Sequence, residues 1–197
     1  MRKIIFYIVN AVTLYRLIAA PVLIVLVFLG HFNSFKWLLL VSFLTDAIDG
    51  FIARRYKIAS SFGAHLDSVA DDCTILAAII GIWIWDALFI IYQFLPIVIL
   101  LLLYLIQNIL AISRYNRPTS FHTYLAKAAA VLQAAFLITF FFLPNPVYWL
   151  FYLMIGLTIA DLLEEIILVV ILPGYRTNVK GLYWVLATRK RIRKVNH

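Results

Sequence analysis

Six apolar stretches, at roughly 14–30, 36–56, 66–85, 88–113, 124–143 and 147–172, take up most of the chain. Each is long enough to cross the ~30 Å hydrocarbon core of a bilayer as a helix. No other feature of the sequence limits the fold as strongly. An isolated strand cannot satisfy its backbone in lipid, so these segments are expected to be helical. The breaks between them carry turn chemistry: Gly30 with Asn33 and Ser34, Ser60 and Ser61 with Gly63, Arg117-Pro118, Pro144-Asn145-Pro146 and Pro173-Gly174. Composition agrees, since 65% of the 197 residues are hydrophobic and 13% charged, whereas soluble domains run at about half and about a quarter.

The expected fold is therefore an all-α polytopic membrane protein, with residues 1–197 forming one domain. Residues 3–13 precede the first stretch and are too short to span, so they are expected to form a helix lying in the interface. Residues 14–172 would form six transmembrane helices, and 173–197 a basic tail. Arg2, Lys3, Arg54, Arg55, Lys57, Arg114, Arg117, Lys127, Arg176, Lys180 and the run RKRIRK at 189–194 all fall at one membrane face, against Lys36 at the other. An excess of Lys and Arg marks cytoplasmic loops, so both termini are placed in the cytoplasm. The net charge of +8 does not point to nucleic acid, because the basic residues flank apolar spans, as at anionic lipid head groups.

Against this apolar background stand nine acidic residues, five of them within positions 46–72. Asp46 and Asp49 are spaced i,i+3, and Asp67 and Asp71 i,i+4, so each pair projects from one face of its helix. The short loop between the second and third spans brings the two pairs together near the cytoplasmic surface. Acids at membrane depth are expensive and by default functional. Protonation or binding of hard cations would relieve the repulsion among four carboxylates. Oxygen-only ligands favour magnesium, manganese or calcium over zinc, and His65 stands alone. Salt bridges to Arg54, Arg55 and Lys57 are the structural alternative for these acids.

From Asp46 the pattern reads D-x2-D-G-x2-A-R-x8-G-x3-D-x3-D, through Asp49, Gly50, Ala53, Arg54, Gly63, Asp67 and Asp71. This resembles the signature of the CDP-alcohol phosphotransferase (phosphatidyltransferase) family at every fixed position. The six spans, cytoplasmic termini and short N-terminal helix resemble its compact prokaryotic members, and TLYRLIAAPVLIV (13–25) is similar to their opening threonine, arginine and proline.

The resemblance implies transfer of a phosphatidyl group from CDP-diacylglycerol to a small polar alcohol with release of CMP, in a prokaryotic cytoplasmic membrane. It implies two divalent cations, Mg2+ or Mn2+: Asp46 and Asp67 would bridge both, Asp49 would complete one site and Asp71 the other. Asp71 is also where the family places its general base. Gly50 would let the nucleotide or its phosphates approach the helix, Arg54 offers a fork for phosphate oxygens, and Ser60 falls where relatives contact the nucleotide lipid. A cavity opening to the cytoplasm, a lateral opening for lipid tails and a homodimer are likewise implied.

A phosphorylated acceptor would need cations, for which Arg114, Lys127 and Arg176 are the candidates; Lys127 resembles a lysine of relatives that use glycerol 3-phosphate. Glycerol 3-phosphate is the leading acceptor, with inositol phosphate, inositol and serine as alternatives. The second acidic pair reads LDSVADD (66–72) rather than the LDPxADK usual for glycerophosphate users. Asp161, Glu164 and Glu165 share one face of the sixth span and are expected to pair with Arg16 or Arg114, a second metal site being the alternative. A membrane prenyltransferase would want more spans and another acidic spacing. A cation transporter would want repeated halves and a site nearer the midplane.

Overall fold

The computed structural model of the chain describes residues 2–56, 61–119, 121, 123–175 and 179–187, with side chains placed at 11–12, 14–48, 69–119, 121, 123–175 and 179–187. Its described residues are mostly helical and contain no strand. The helices are α1 (Arg2–Phe28), α2 (Phe32–Tyr56), α3 (Ser61–Trp85), α4 (Ala87–Tyr92), α5 (Phe94–Tyr115), α6 (Tyr124–Phe142) and α7 (Tyr148–Ile171).

Two boundaries differ from the sequence reading. Residues 3–13 do not form a separate helix: α1 runs unbroken from Arg2 through Pro21 to Phe28. The stretch expected as one span over 88–113 is divided at Gln93 into α4 and α5. Pro96 explains the division, because it has no N–H to offer the Tyr92 carbonyl and its ring crowds that oxygen. Asp86 opens α4 as its N-cap, accepting the Phe89 N–H on Oδ1 at 3.1 Å.

By length and composition, α5 and α6 are apolar enough to cross a membrane; the apolar part of α1, Leu14–Phe28, is shorter. Every 18-residue window of α7 includes Asp161, Glu164 and Glu165, which keeps that helix outside the same criterion.

The chain divides into two compact units. The first, Met1–Tyr92 with Phe140–Pro144, is built on α1, which packs against both α2 and α3 while those two barely touch each other. The reason is a stripe along each helix. On α1, Ala19, Ala20, Leu23 and Val27 are buried at helical spacing; on α2, Phe35, Leu39 and Ser42; on α3, Ala70, Thr74, Ala77, Ala78 and Ile82. The alanines let the backbones approach closely. At one end a ring cluster closes the unit, with Phe35 in edge contact with Trp85 and Phe141, both at 4.9 Å between centroids. Gly81 leaves room for it: a Cβ there would lie 3.1 Å from Phe35 Cζ and 3.3 Å from Phe141 Cζ.

The second unit, Gln93–Thr139 with Asn145–His197, centres on α5 against α7. Ala111, Phe121, Leu168, Val169 and Leu172 form its buried core, flanked by Tyr115, Val179, Leu182 and Val185. The segment after α7 returns onto the α5–α6 connection, where Val179 N–H donates to the Phe121 carbonyl at 2.9 Å.

Candidate functional site

The wedge position of α1 decides what happens to the acids. Arg16 lies on the same stripe as Ala19, Ala20, Leu23 and Val27, and it is 1% exposed. Asp46 continues the α2 stripe one turn past Ser42, and Asp71 follows the buried Ala70 on α3. The Arg16 guanidinium therefore meets both: Nη1 donates to Asp46 Oδ1 at 2.6 Å, and Nη2 donates to Asp71 Oδ1. The side chains of Asp46 and Asp71 are 36% and 40% exposed, so the arginine reaches them from the buried side and they open away from it.

Of the four aspartates read from the motif, Asp46 and Asp71 are thus brought onto one positive group. Asp49 and Asp67 lie on the described backbones of α2 and α3, as do Gly50 and Arg54 on α2, but the side chains of Asp49, Arg54 and Asp67 fall outside the described residues, as does Ser60 altogether. Among the described residues no group of three metal-ligating side chains occurs. The residues present nevertheless fit a hard cation. The donors are carboxylate oxygens, the chemistry magnesium and manganese select. The two acids from separate helices close on a single positive charge, with Arg16 standing as an internal cation between them. An ionised carboxylate has two oxygens and about four acceptor positions, so each can serve more than one partner.

Arg16 is the member of this constellation that sequence reasoning missed. The available signal was its isolation: it is the one charged residue in the apolar run 14–28. A buried arginine in such a run requires a partner, but spacing along a single helix does not say which acid on another helix it meets.

The acids of α7 correct the expectation. Asp161, Glu164 and Glu165 do share a face of α7, but none pairs with Arg114, which bonds the Leu172 carbonyl, and Arg16 meets Asp46 and Asp71. Glu165 Oε2 accepts from buried Gln107 Nε2 at 2.7 Å and from Thr119 Oγ1 at 3.0 Å, and Gln107 also bonds Thr119. Asp161 Oδ1 accepts from Thr123 Oγ1 at 3.3 Å, and the same hydroxyl accepts the Ala126 N–H at 3.0 Å, capping α6. Glu164 Oε1 accepts the Leu182 N–H at 2.7 Å. Each acid ties a different piece of chain to α7, through neutral donors.

The expected acceptor cations have the following places. Arg114, in the last turn of α5, donates from Nη2 to the Leu172 carbonyl at 3.1 Å, where the Tyr115 hydroxyl also reaches the carbonyls of Val169 and Leu172. It thereby satisfies carbonyls at the end of α7 that have no partner within the helix. Lys127 is exposed in the first turn of α6, its Nζ 5.3 Å from the Tyr124 ring centre. Arg176 lies outside the described residues.

Residues 6–172 match the CDP-alcohol phosphatidyltransferase family. A probable phosphatidylglycerophosphate synthase of Mycobacterium tuberculosis is 37% identical over 79 residues, 37% of this chain and 38% of that one. A CDP-diacylglycerol--glycerol-3-phosphate 3-phosphatidyltransferase of Salmonella choleraesuis is 39% identical over 82 residues, 38% of this chain and 43% of that one. A CDP-diacylglycerol--inositol 3-phosphatidyltransferase of Saccharomyces cerevisiae is 43% identical over 68 residues, 34% of this chain and 30% of that one. The chain thus spans under half the length of these curated relatives. No solved structure gives a significant match.

Proposed function

The chain belongs to the CDP-alcohol phosphatidyltransferase family, and from that premise we propose that it is an integral-membrane enzyme transferring the phosphatidyl group of CDP-diacylglycerol to glycerol 3-phosphate with release of CMP. The observation that carries this reading is the convergence of Asp46 and Asp71, from two helices, on one positive charge. They are the first and last acids of the 26-residue motif from 46 to 71. The glycerol-3-phosphate enzymes among its relatives favour that acceptor; the yeast inositol enzyme keeps inositol or its phosphate as the second choice.

Two divalent cations, Mg2+ or Mn2+, would supply charge to balance the diphosphate and the departing CMP. Asp46, Asp49, Asp67 and Asp71 would hold them, with Asp46 and Asp67 shared. Asp71 also serves as general base: it takes the proton from the acceptor hydroxyl as that oxygen bonds to the phosphatidyl phosphorus and the bond from that phosphorus to the oxygen of CMP breaks. No covalent intermediate with the protein is invoked, so the displacement is direct. Gly50, Arg54 and Ser60 would receive the nucleotide end of the donor. Lys127, Arg114 and Arg176 are the acceptor-phosphate cations, and Lys127 leads because it is exposed at the start of a helix, where backbone N–H groups also favour an anion.

In the same reading one catalytic domain has six membrane-spanning helices, α1, α2, α3, α4 with α5, α6 and α7. Its termini are cytoplasmic by the distribution of Lys and Arg, and the enzyme works as a homodimer. The test is an acceptor screen with the purified chain, CDP-diacylglycerol and MgCl2 or MnCl2, following CMP. Glycerol 3-phosphate is expected to release CMP and become lipid-linked. Release with inositol phosphate, inositol or serine instead would move the acceptor, and no release with any alcohol would overturn the reaction.

A further inference from the structure

We propose that Arg16 is the resident counter-charge of the acidic site: a buried guanidinium that holds Asp46 and Asp71 together in the absence of divalent cations and opposes those cations for the same pair. The inference rests on the reading that the aspartates bind divalent metal.

Three observations lead to it. Arg16 is buried in a helix that is otherwise apolar from Leu14 to Phe28, so its charge is tolerable only because acids meet it. Its two terminal nitrogens serve carboxylates from two different helices, across a gap that α1 fills because α2 and α3 scarcely touch. Finally, both acids are over a third exposed while the arginine is not, so a cation can approach from the side the arginine leaves open.

The chemistry of guanidinium sets the sign of the effect. A lysine beside an arriving cation could lose its proton, but arginine stays charged at every relevant pH. One fixed positive charge and one divalent ion sharing Asp46 and Asp71 must therefore weaken each other's hold, and the weakening is reciprocal. Arg16 balances one of the four motif aspartates' charges. Enough negative charge remains to bind metal, while the metal-free protein is spared the full repulsion.

The test compares the full chain in detergent as wild type, Arg16→Met and Arg16→Lys, reading melting temperature in EDTA and in MnCl2, and Mn2+ binding by the spin-resonance signal of the free ion. Methionine keeps the length and removes the charge. Arg16→Met is expected to melt lower in EDTA, to regain more on adding MnCl2 than wild type does, and to bind Mn2+ about fivefold or more tightly, a coupling at the lower end of the usual range. A variant that folds only with MnCl2 present is the same outcome in extreme form. Wild type binding Mn2+ with no tighter binding and no wider gap in Arg16→Met overturns the proposal and leaves the metal reading standing. If neither protein binds Mn2+, the metal reading falls and this inference with it. Should Arg16→Met fold under neither condition, Arg16→Lys decides: it loses the two-pronged grip in EDTA and can shed its proton beside the metal, so its melting gap must exceed that of wild type, and an equal gap rejects the role.

Discussion

Two groups of carboxylates occupy helix faces in this molecule, and they are treated in opposite ways. Asp46 and Asp71 close on a buried guanidinium. Asp161, Glu164 and Glu165 meet hydroxyls, one amide side chain and one backbone N–H. Every one of these acids has another at three or four residues on its own helix, Asp49 for Asp46 and Asp67 for Asp71, so the sequence signal is nearly the same. The difference lies in the partners. Neutral donors fix where a carboxylate points, whereas a positive charge offsets the charge itself. The α7 acids accordingly join three separate segments to one helix: the Thr119 turn, the start of α6 and the chain at Leu182. The α1–α3 site gathers charge where a cation can reach it. One pattern joins segments, the other pairs opposite charges.

The sharpest way to break this comparison is to remove one acid from each group. Asp71→Asn is expected to lower CMP release from CDP-diacylglycerol by about 100- to 10,000-fold, the range for loss of a general base. Release within tenfold of wild type would put Asp71 out of the reaction. Glu165→Ala should leave the catalytic rate near wild type but destabilise the fold by about 1–3 kcal/mol, because buried Gln107 loses an acceptor. Denaturant or thermal unfolding reads this, and a loss of activity with unchanged stability would reverse the roles assigned to the two groups. A smaller effect sharpens the assembly side. Gly181 has φ of +145°, and a Cβ there would stand 3.1 Å from Glu164 Oε1 and 3.3 Å from the Trp184 ring. Gly181→Ala should cost about 1–2 kcal/mol through backbone strain. It should also loosen the Leu182–Glu164 hydrogen bond, which faster exchange of the Leu182 amide would report; unchanged exchange would detach that bond from the glycine.

Much of this was legible in the chain, and the gaps have physical reasons. The helices α1, α2, α3, α6 and α7 follow apolar runs between Gly, Ser, Asn and Pro clusters, so their existence could be read directly. The division at Gln93 cannot be read from hydropathy, since ALFIIY and FLPIVI are apolar on both sides, and Pro96 is its cue in the sequence. The pairing of acids on a single helix face was readable from spacing, because spacing is a property of one helix. Which helix would lie between α2 and α3 was not, because that choice depends on the small-residue stripes of three helices fitting at once. The expectation that Arg16 or Arg114 pairs with Asp161, Glu164 and Glu165 therefore does not anticipate Arg16 on Asp46 and Asp71. The neutral partners Gln107, Thr119 and Thr123 also left a trace, as hydrogen-bonding residues at the inner face and end of an oily helix, but only a fold could join them to α7.

The wedge of α1 between its two neighbours also bears on how such a chain is made. A ribosome delivers α1 before α2 and α3, so the guanidinium is the earliest of the three charged partners to emerge. Each acid that follows then has a waiting counterpart instead of entering the bilayer alone. The order of the helices along the gene thus becomes an order of neutralisation, and the charged cluster can be put together stepwise with the hardest passenger lodged first.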